Sequence, residues 1–510
     1  MQLHHDSPYV VVVGAGLAGS EAAWQLAERG VRVRLYEMRP ENSTLAHTGS
    51  QCAELVCSNS FKSLNPSSAA GCLKAELAAM GSFVLRCALE ARVPAGGALA
   101  VDREVFSALV TAGLASHQNI EMIVHEVRAL EELEAQGCES VIVATGPLTS
   151  DALAISLEQR IGVSSLSFYD AAAPIVAADS LDHEVLFAQS RYGRDSAPCV
   201  GMDSDGDPES FDPANSGDYL NAPFSREAYE RFVAELLKAE CVIKRDFERK
   251  ELFAACQPVE EVARTGTDAL RFGALKPVGL TDPATGRRPW ATVQLRAENQ
   301  ARTAYNLVGF QTNLTFSQQQ RVFRLIPGLE QAEFVRYGVM HRNTFVDAPH
   351  ALGRCFELPA EFDEEPIAPS GDQERISLID STCCVARPQI ILAGQLTGTE
   401  GYTEAIASGL LAALNTYARM VGVSPVLLPP ETCFGALAAY ATDPSTRDYQ
   451  PMHVNYGIMP ALEQPVRNKR NRFAAYASRA RTSLAAFIDQ RPELCFQPPF
   501  ELPIEGVAED

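Results

Sequence analysis

Three glycines and one glutamate near the N-terminus have the types and spacing of a dinucleotide-binding turn. Gly14, Gly16 and Gly19 form the pattern G-x-G-x-x-G, and Glu37 follows in the next part of the chain. In such a turn the first glycine permits the tight bend, the second lets the backbone approach a pyrophosphate, and the third lets a helix pack closely on a strand. A carboxylate at the position of Glu37 can accept hydrogen bonds from a ribose diol. The alternative is a glycine-rich turn that holds no ligand.

The elements that must position these residues can be read from the surrounding pattern. The apolar run 9–13 predicts a buried strand, and a helix follows the glycines to about Arg29. Gly30 ends that helix, and residues 31–36 predict a second strand with Glu37 at its C-terminal end. This strand, turn, helix and strand are the context that the glycine pattern requires, so we expect a dinucleotide site.

Two later segments favour FAD over NAD as the dinucleotide. The segment "SVIVATGP", residues 140–147, is an apolar strand that ends in Ala-Thr-Gly, which is typical of two-domain flavoproteins. Residues 389–420 predict another strand, a glycine-containing loop and a helix whose N-terminus could face a flavin or a pyrophosphate. The cofactor-binding candidates in this second segment are Gly394, Gln395, Gly401 and Glu404.

The distance between these segments predicts a discontinuous fold. The fold class is α/β, with a Rossmann-type FAD-binding domain formed by residues 1–170 and 375–510, the second part carrying a basic helical region. Residues 171–374 form an inserted mixed α/β domain that would contact the substrates.

Composition narrows the class of protein further. The chain of 510 residues has a net charge of −21, which argues against a general polyanion binder but leaves room for a local basic patch. Its 13 cysteines are irregularly spaced, and no two closely spaced pairs have the spacing of a zinc site. We therefore expect reduced thiols, as in a cytoplasmic protein, and no bound metal. No apolar stretch is long enough for a membrane span.

A thiol and a basic stretch stand outside the dinucleotide pattern. Cys57, in "AELVCSNSFKS", could be a core residue, a metal ligand or a working thiol. Residues 467–481, "RNKRNRFAAYASRAR", contain six basic residues, no acidic residue and two aromatic rings. On a helix this stretch would present a basic face suited to RNA phosphates, although a solvated face is the plainer interpretation.

Long ordered motifs give the chain a resemblance to a known family. The glycine turn, "AELVCSNS", "VPAGGALAVDREVFS", "LRFGALKPVGL", "YNLVGFQTNL", "RYGVMHRNTF" and "AGQLTGTEGYTEA" resemble the folate- and FAD-dependent tRNA (uracil-54-C5)-methyltransferases over nearly the whole chain. The resemblance implies a bacterial cytoplasmic enzyme that makes 5-methyluridine at position 54 of the tRNA T-loop. It implies 5,10-methylenetetrahydrofolate as carbon donor, FAD with NADH or NADPH as reductant, tRNA as partner, and no obligate protein partner.

The resemblance also assigns the thiols. C5 of uracil is a poor nucleophile, and adding a thiolate to C6 turns C5 into an enolate carbon that can attack an electrophilic methylene. The family places that addition on Cys256 and puts Cys57 near the flavin, although which thiol bonds the RNA stays open. Candidate folate or RNA contacts are Arg271, Lys276, His341, Arg342, Asn343, Lys469, Arg470 and Arg472.

Departures and alternatives accompany this interpretation. Residues 195–216 are longer than the family pattern, and Ala222 replaces an expected cysteine. The same chemistry on a ribosomal RNA uridine is not distinguished by sequence. A wobble-uridine-modifying flavoprotein is disfavoured because its helical C-terminal domain is not evident, and a non-enzymatic flavin-binding RNA protein would not need the paired thiols.

Overall fold

The computed structural model describes seven stretches of the chain. They are residues 8–44, 47–162, 166–193, 217–242, 257–359, 388–447 and 449–503; of residues 166–170, 341 and 342 only the backbone is described. The strands are β1 Tyr9–Val13, β2 Arg32–Glu37, β3 Ser60–Ser63, β4 Arg92–Val93, β5 Ala98–Val101, β6 Ile120–Val124, β7 Ser140–Val143, β8 Leu166–Ala171, β9 Ile175–Ala177, β10 Phe187–Ala188, β11 Tyr219–Phe224, β12 Ala291–Ala297, β13 Ala304–Leu307, β14 Phe334–Arg336, β15 Met340–Phe345 and β16 Gln389–Leu392. The helices are α1 Leu17–Glu28, α2 Ala69–Ala79, α3 Phe83–Glu90, α4 Arg103–Ser116, α5 Glu131–Glu134, α6 Asp151–Ile161, α7 Arg226–Lys238, α8 Val259–Arg264, α9 Ala269–Phe272, α10 Phe316–Phe323, α11 Ala348–Ala351, α12 Tyr402–Met420, α13 Cys433–Ala441 and α14 Lys469–Gln490.

A five-stranded parallel sheet carries the dinucleotide pattern. Its strand order is β16-β7-β1-β2-β6, with β1 at the centre. The valines of β1 are buried on both faces, as expected for a strand inside a parallel sheet covered by helices. The edge strand β16 pairs with β7 in the register Ile390↔Val141, so a segment far along the chain completes this sheet. The fold is therefore α/β and discontinuous, as predicted.

The residues between the two parts form a second sheet with its own core. Six strands pair antiparallel in the order β10-β11-β12-β13-β9-β14. Helices α7 to α10 belong to this region, where buried aromatic side chains such as Phe232, Phe310 and Phe323 fill the core. A two-stranded antiparallel ribbon of β8 and β15 lies where the chain enters and leaves the insertion.

Close glycine contacts bring the N-terminal halves of α1 and α12 together. A Cβ on Gly409 of α12 would lie 2.0 Å from the Ala18 carbonyl oxygen of α1. A Cβ on Gly19 would lie 1.8 Å from the Gly14 oxygen, so Gly19 lets α1 pack closely on the glycine turn. Only glycine permits these approaches. The two helices can therefore pack against each other beside the glycine turn.

Two other helices begin against buried carboxylates. Glu21 of α1 accepts hydrogen bonds from the backbone N–H groups of Phe83 and Val84 at the start of α3, at 3.2 and 2.8 Å. Glu76 of α2 accepts from the N–H groups of Cys433 and Phe434 at the start of α13, at 2.6 and 3.1 Å. Each carboxylate satisfies backbone donors that have no partner within their own helix.

Two cysteines that are far apart in the chain lie beside Glu76, and no spacing in the sequence predicts this pair. Ligand atoms of Cys72, Glu76 and Cys433 lie within 4.8 Å of one another and are buried. The Cys72 thiol donates to Glu76 at 3.8 Å, and the Cys433 thiol donates to the Ala69 carbonyl at 3.7 Å. With its thiols donating and its carboxylate capping α13, the group is accounted for as a structural cluster.

Within the described stretches, no helix combines the length and the apolar character that crossing a bilayer requires.

Candidate active site

Two adjoining cavities lie at the C-terminal edge of the five-stranded sheet. The larger has a volume of about 240 Å³ and is lined by the start of α1, the segment around Cys57, residues 144–148 and the segment leading into α12. The smaller, about 80 Å³, lies over Gly14 and Glu37. Gly16 and Thr145 line both cavities, so together they form one elongated space.

The glycine turn is open toward this space. Gly14 has a φ of +95°, and a Cβ there would lie 2.7 Å from the Ala144 carbonyl oxygen, so the bend requires glycine. A Cβ on Gly16, in contrast, would meet no atom of the described residues within 4 Å. The backbone at Gly16 can therefore be approached closely by a ligand that lies at the start of α1.

Glu37 lines the smaller cavity but already has partners in the protein. Its carboxylate accepts from the Ala15 N–H at 3.0 Å and from the Arg39 side chain at 2.8 Å. Arg39 also donates to Glu54 at 2.9 Å, so one guanidinium bridges two carboxylates. Burial raises the pKa of Glu37, but the hydrogen bonds and positive charge of Arg39, together with the hydrogen bond from Ala15, outweigh burial and leave that pKa below its usual value. An ionised carboxylate with further lone pairs can still accept from a ribose hydroxyl.

The segment before α12 forms the opposite wall. Gly394, Gln395 and Gly401 line the larger cavity. The Gly394 N–H donates to the Ser408 hydroxyl at 2.9 Å, and the Gln395 amide hydrogen-bonds Glu400. Glu404 lies in the first turn of α12, where its buried carboxylate accepts from the Val454 N–H at 3.1 Å. Glu404 thus fixes the following segment rather than lining the cavity wall.

Of the cysteines that the structure describes, Cys57 is the one that lines this space. It lines the larger cavity, is half-buried, and its Sγ donates to the Ala171 carbonyl at 3.8 Å. Cys256, the other predicted thiol, lies outside the described residues.

His47 and Lys62 are among the polar residues of the same walls that the sequence patterns did not indicate. His47 lines both cavities, and Lys62 lines the larger. Burial, reinforced by the positive charge of Arg39, lowers the pKa of His47. A neutral imidazole beside the cavities can accept or donate a proton. His47 belongs to none of the motifs, and Lys62 lies in "AELVCSNSFKS", where only Cys57 was indicated.

The candidate substrate residues fall in three places. Arg271 stacks over the Trp290 ring at 3.6 Å in the six-stranded region, and Lys276 is exposed nearby. His341, Arg342 and Asn343 lie in β15, where Asn343 is buried. Of these, Arg271, Lys276 and Asn343, whose side chains are described, do not line the two cavities.

The remaining candidates lie on α14, which packs against α2. Lys469 and Arg470 are exposed and Arg472 is half-buried. Behind them, Tyr456 stacks on Tyr476 with ring centroids 5.2 Å apart, which anchors the helix. The basic side chains therefore project from a firmly packed helix.

These walls fit FAD. The elongated space has the open backbone of Gly16 at one helix N-terminus and Gly401 at the start of another, and neither glycine adds a capping side chain. Unsatisfied N–H groups at such termini attract an anion such as a pyrophosphate. The larger cavity adds an apolar wall from Leu17, Ala18 and Leu148, suited to a flat ring system.

The family model described as Glucose inhibited division protein A matches residues 9–358 and 376–423. The chain belongs to this family. A relative from Geobacter sulfurreducens, named "Methylenetetrahydrofolate--tRNA-(uracil-5-)-methyltransferase TrmFO", is 50% identical over 475 residues, 93% of this chain and 98% of the relative. A relative of the same name from Desulforudis audaxviator is 47% identical, covering 95% and 99% of the two chains. The family resemblance drawn from the motifs is confirmed.

Solved structures agree on the fold. Two crystal forms of Aquifex aeolicus GidA match with TM-scores of 0.59 and 0.60 at 15% and 16% identity. They cover 97% and 96% of this chain and 76% and 79% of the GidA chain. At that identity the likeness establishes the predicted fold class.

Proposed function

We propose that the chain is a flavin- and folate-dependent tRNA methyltransferase that converts a T-loop uridine, position 54, to 5-methyluridine. The observation that carries the proposal is the name shared by relatives 47–50% identical over nearly their whole length. The cavity that joins Gly16, Cys57 and Gly401 is the supporting geometry. We infer that the enzyme acts in the cytoplasm, with 5,10-methylenetetrahydrofolate as carbon donor and NADH or NADPH as reductant.

FAD, when bound along the two cavities, would supply the hydride chemistry that reduces the transferred carbon. The start of α1 would hold the pyrophosphate, and Glu37 would accept from the ribose. Gly394, Gln395 and Gly401 would shape the wall around the ring system. Glu404 would act indirectly, by holding the segment that contains Val454.

The two cysteines would have different roles in the reaction of the uracil ring. The Cys256 thiolate would add to C6 of the uracil, which makes C5 nucleophilic toward the methylene carbon. After C5 forms its bond to that carbon, its proton must leave and the C6–S bond must break, which regenerates the thiolate. Cys57, at the cavity wall, would assist beside the cofactor, and His47 is a second group there that could move a proton.

A trapping experiment tests the assignment. Incubation with unmodified tRNA, methylenetetrahydrofolate and NAD(P)H should yield 5-methyluridine by nucleoside mass analysis. A 5-fluorouracil tRNA should then trap the adduct, because fluorine at C5 cannot leave as a proton. A crosslinked peptide containing Cys256 supports the assignment, and one containing Cys57 reverses the two roles. Full activity in both Cys256→Ala and Cys57→Ala would end the thiol mechanism, and methylation of ribosomal RNA alone would contradict the target.

A further inference from the structure

The short segment that carries Cys57 is held by side chains from distant parts of the chain. Residues 55–58, here named the Cys57 loop, belong to no described helix or strand. Irregular backbone of this kind needs partners from elsewhere for its N–H and C=O groups. Those partners decide where the thiol lies.

Two arginines hold the carbonyl groups of the Cys57 loop. Arg103 of α4 donates to the Leu55 oxygen at 2.5 Å and to the Cys57 oxygen at 3.4 Å. Arg336 of β14 donates to the Val56 oxygen at 3.2 Å. Because β14 belongs to the six-stranded sheet, Arg336 ties the inserted region directly to the loop.

Tyr402 holds the N–H groups of the same loop. Its hydroxyl oxygen accepts from the Cys57 N–H at 3.0 Å and from the Ser58 N–H at 3.1 Å. Its ring packs against Phe61 with centroids 5.5 Å apart, which limits its rotation. Burial raises the pKa of Tyr402, so the group stays a neutral phenol.

Through these hydrogen bonds, Tyr402 connects two walls of the larger cavity. It is the first residue of α12, directly after Gly401, and it lines the larger cavity together with Cys57 and Ser58. One oxygen atom therefore joins the helix N-terminus on one wall of the cavity to the thiol on another. A shift of the loop by about 1 Å at a reacting group can cost a hundredfold in rate.

We propose that Tyr402 is a positioning residue that sets the Cys57 thiol relative to the start of α12, with Arg336 as a second tether from the inserted region. The role of the thiol in methyl transfer rests on the proposed function. The tether itself does not, since the reactivity of Cys57 can be measured without RNA or folate.

The test uses the FAD-loaded enzyme and the variant Tyr402→Phe, which removes one oxygen and keeps the ring. Alkylation by iodoacetamide, located by peptide mass mapping, should become at least threefold faster at Cys57, because the loop is freed and the contact to Ala171 loosens. Turnover of tRNA should fall at least tenfold in kcat with KM for tRNA unchanged. FAD content and Tm report whether the fold and the cofactor site survive.

Tyr9→Phe is the matched control, because it also removes a tyrosine hydroxyl that is hydrogen-bonded to the backbone. The Tyr9 hydroxyl donates to the Gln136 carbonyl at 2.8 Å, at the start of β1 and so at the opposite edge of the sheet from the cavities. It should leave both the alkylation rate and kcat unchanged. Arg336→Met should accelerate Cys57 alkylation in the same direction, which keeps the proposal testable if Tyr402→Phe is poorly folded. Alkylation within twofold of wild type in both variants overturns the proposal, and so does loss of FAD in Tyr402→Phe, which would make Tyr402 a cofactor-binding residue.

Discussion

Helices α3 and α13 begin against carboxylates of the protein itself, whereas α1 and α12 begin at glycines that line a cavity. Glu21 and Glu76 reach the first N–H groups of α3 and α13, and Ser82 and Thr432 add side-chain caps. Gly16 and Gly401 bring no cap. The positive ends of the first pair are neutralised within the fold. The N–H groups at the start of α1 remain for a ligand, whereas the first turn of α12 also carries the Glu404 carboxylate, which accepts from the Val454 N–H.

The difference separates two uses of the same physical feature. An internal carboxylate at a helix N-terminus joins neighbouring helices and stabilises the core. A glycine at that place removes the side chain that would occupy the anion's position. The contrast therefore predicts that substitutions at the two kinds of terminus will have opposite signatures: loss of cofactor without unfolding in one case, and loss of stability with cofactor retained in the other.

The largest expected effect is on FAD binding in Gly16→Ala. The purified protein should be yellow, and this variant should bind FAD at least tenfold more weakly because its Cβ projects into the open space that the dinucleotide would fill. Its Tm without cofactor should match that of the wild-type apoprotein, since no described atom lies within 4 Å of the added methyl group. Absorbance titration and thermal unfolding measure both.

Gly266→Ala is the control for that prediction, because its Cβ also meets no described atom within 4 Å and it does not line the cavities. It should bind FAD as the wild type does. Stoichiometric FAD in Gly16→Ala would show that the start of α1 does not bind the pyrophosphate. The absence of a side-chain cap at a helix N-terminus would then not indicate a ligand site.

The N-terminus of helix α14 can be compared with those of the four helices above. Its N-terminus is capped by Asn468, which accepts from the Asn471 N–H at 3.1 Å, so α14 begins like a structural helix. We therefore expect its side chains, not its N–H groups, to contact RNA phosphates. Arg470→Ala with Arg472→Ala should weaken tRNA binding and reduce the slope of log K against log salt by about one per lost contact, measured by filter binding.

Lys238→Ala serves as the charge control for α14. Lys238 is exposed on α7 and pairs with Glu235 at 3.0 Å, so its removal also costs one positive charge. An equal loss of affinity per removed charge in this variant would show that overall charge, and not the face of α14, governs binding.

Sequence patterns indicated the parts of the site whose residues are contiguous. The turn at Gly14 and the strand, loop and helix that run from β16 into α12 each lie within about one supersecondary unit, so local periodicity was enough to find them. The partners of the Cys57 loop could not be found this way, because Tyr402 lies 345 residues beyond Cys57. The same is true of Glu76 and Cys433, which are 357 residues apart.

At the start of α3, which is capped within the protein, Ser82→Ala should lower the free energy of unfolding by about 1–2 kcal/mol. The variant loses the bond from the Leu85 N–H to the Ser82 hydroxyl at 3.2 Å, and Glu21 loses a donor at 2.9 Å. FAD content should stay at the wild-type value, because α3 does not line the cavities. Urea unfolding and flavin absorbance test the two halves, and an unchanged midpoint would contradict the capping role.

The smallest expected effect is on the pH dependence of the free energy of unfolding, to which the buried carboxyl group of Glu76 contributes. Burial raises the pKa of Glu76 to about 7 from an ordinary value of 4.5. A raised carboxyl pKa means that the folded state binds more protons than the unfolded state between those values. The contribution of Glu76 is therefore fully present below pH 4.5 and is lost as pH rises through about 7, by at most about 1.4 kcal/mol per pH unit.

Glu76→Gln removes this titration and keeps an oxygen that can accept from the start of α13. The difference in unfolding free energy between wild type and variant should shrink as pH rises from 5 to 7 and then level off, measured by urea unfolding at half-unit steps. Glu104→Gln, an exposed first-turn change on α4, should show no such trend. A constant difference across this range would mean that Glu76 stays ionised in the fold, so the N–H groups of Cys433 and Phe434 would stabilise its charge as strongly as water does.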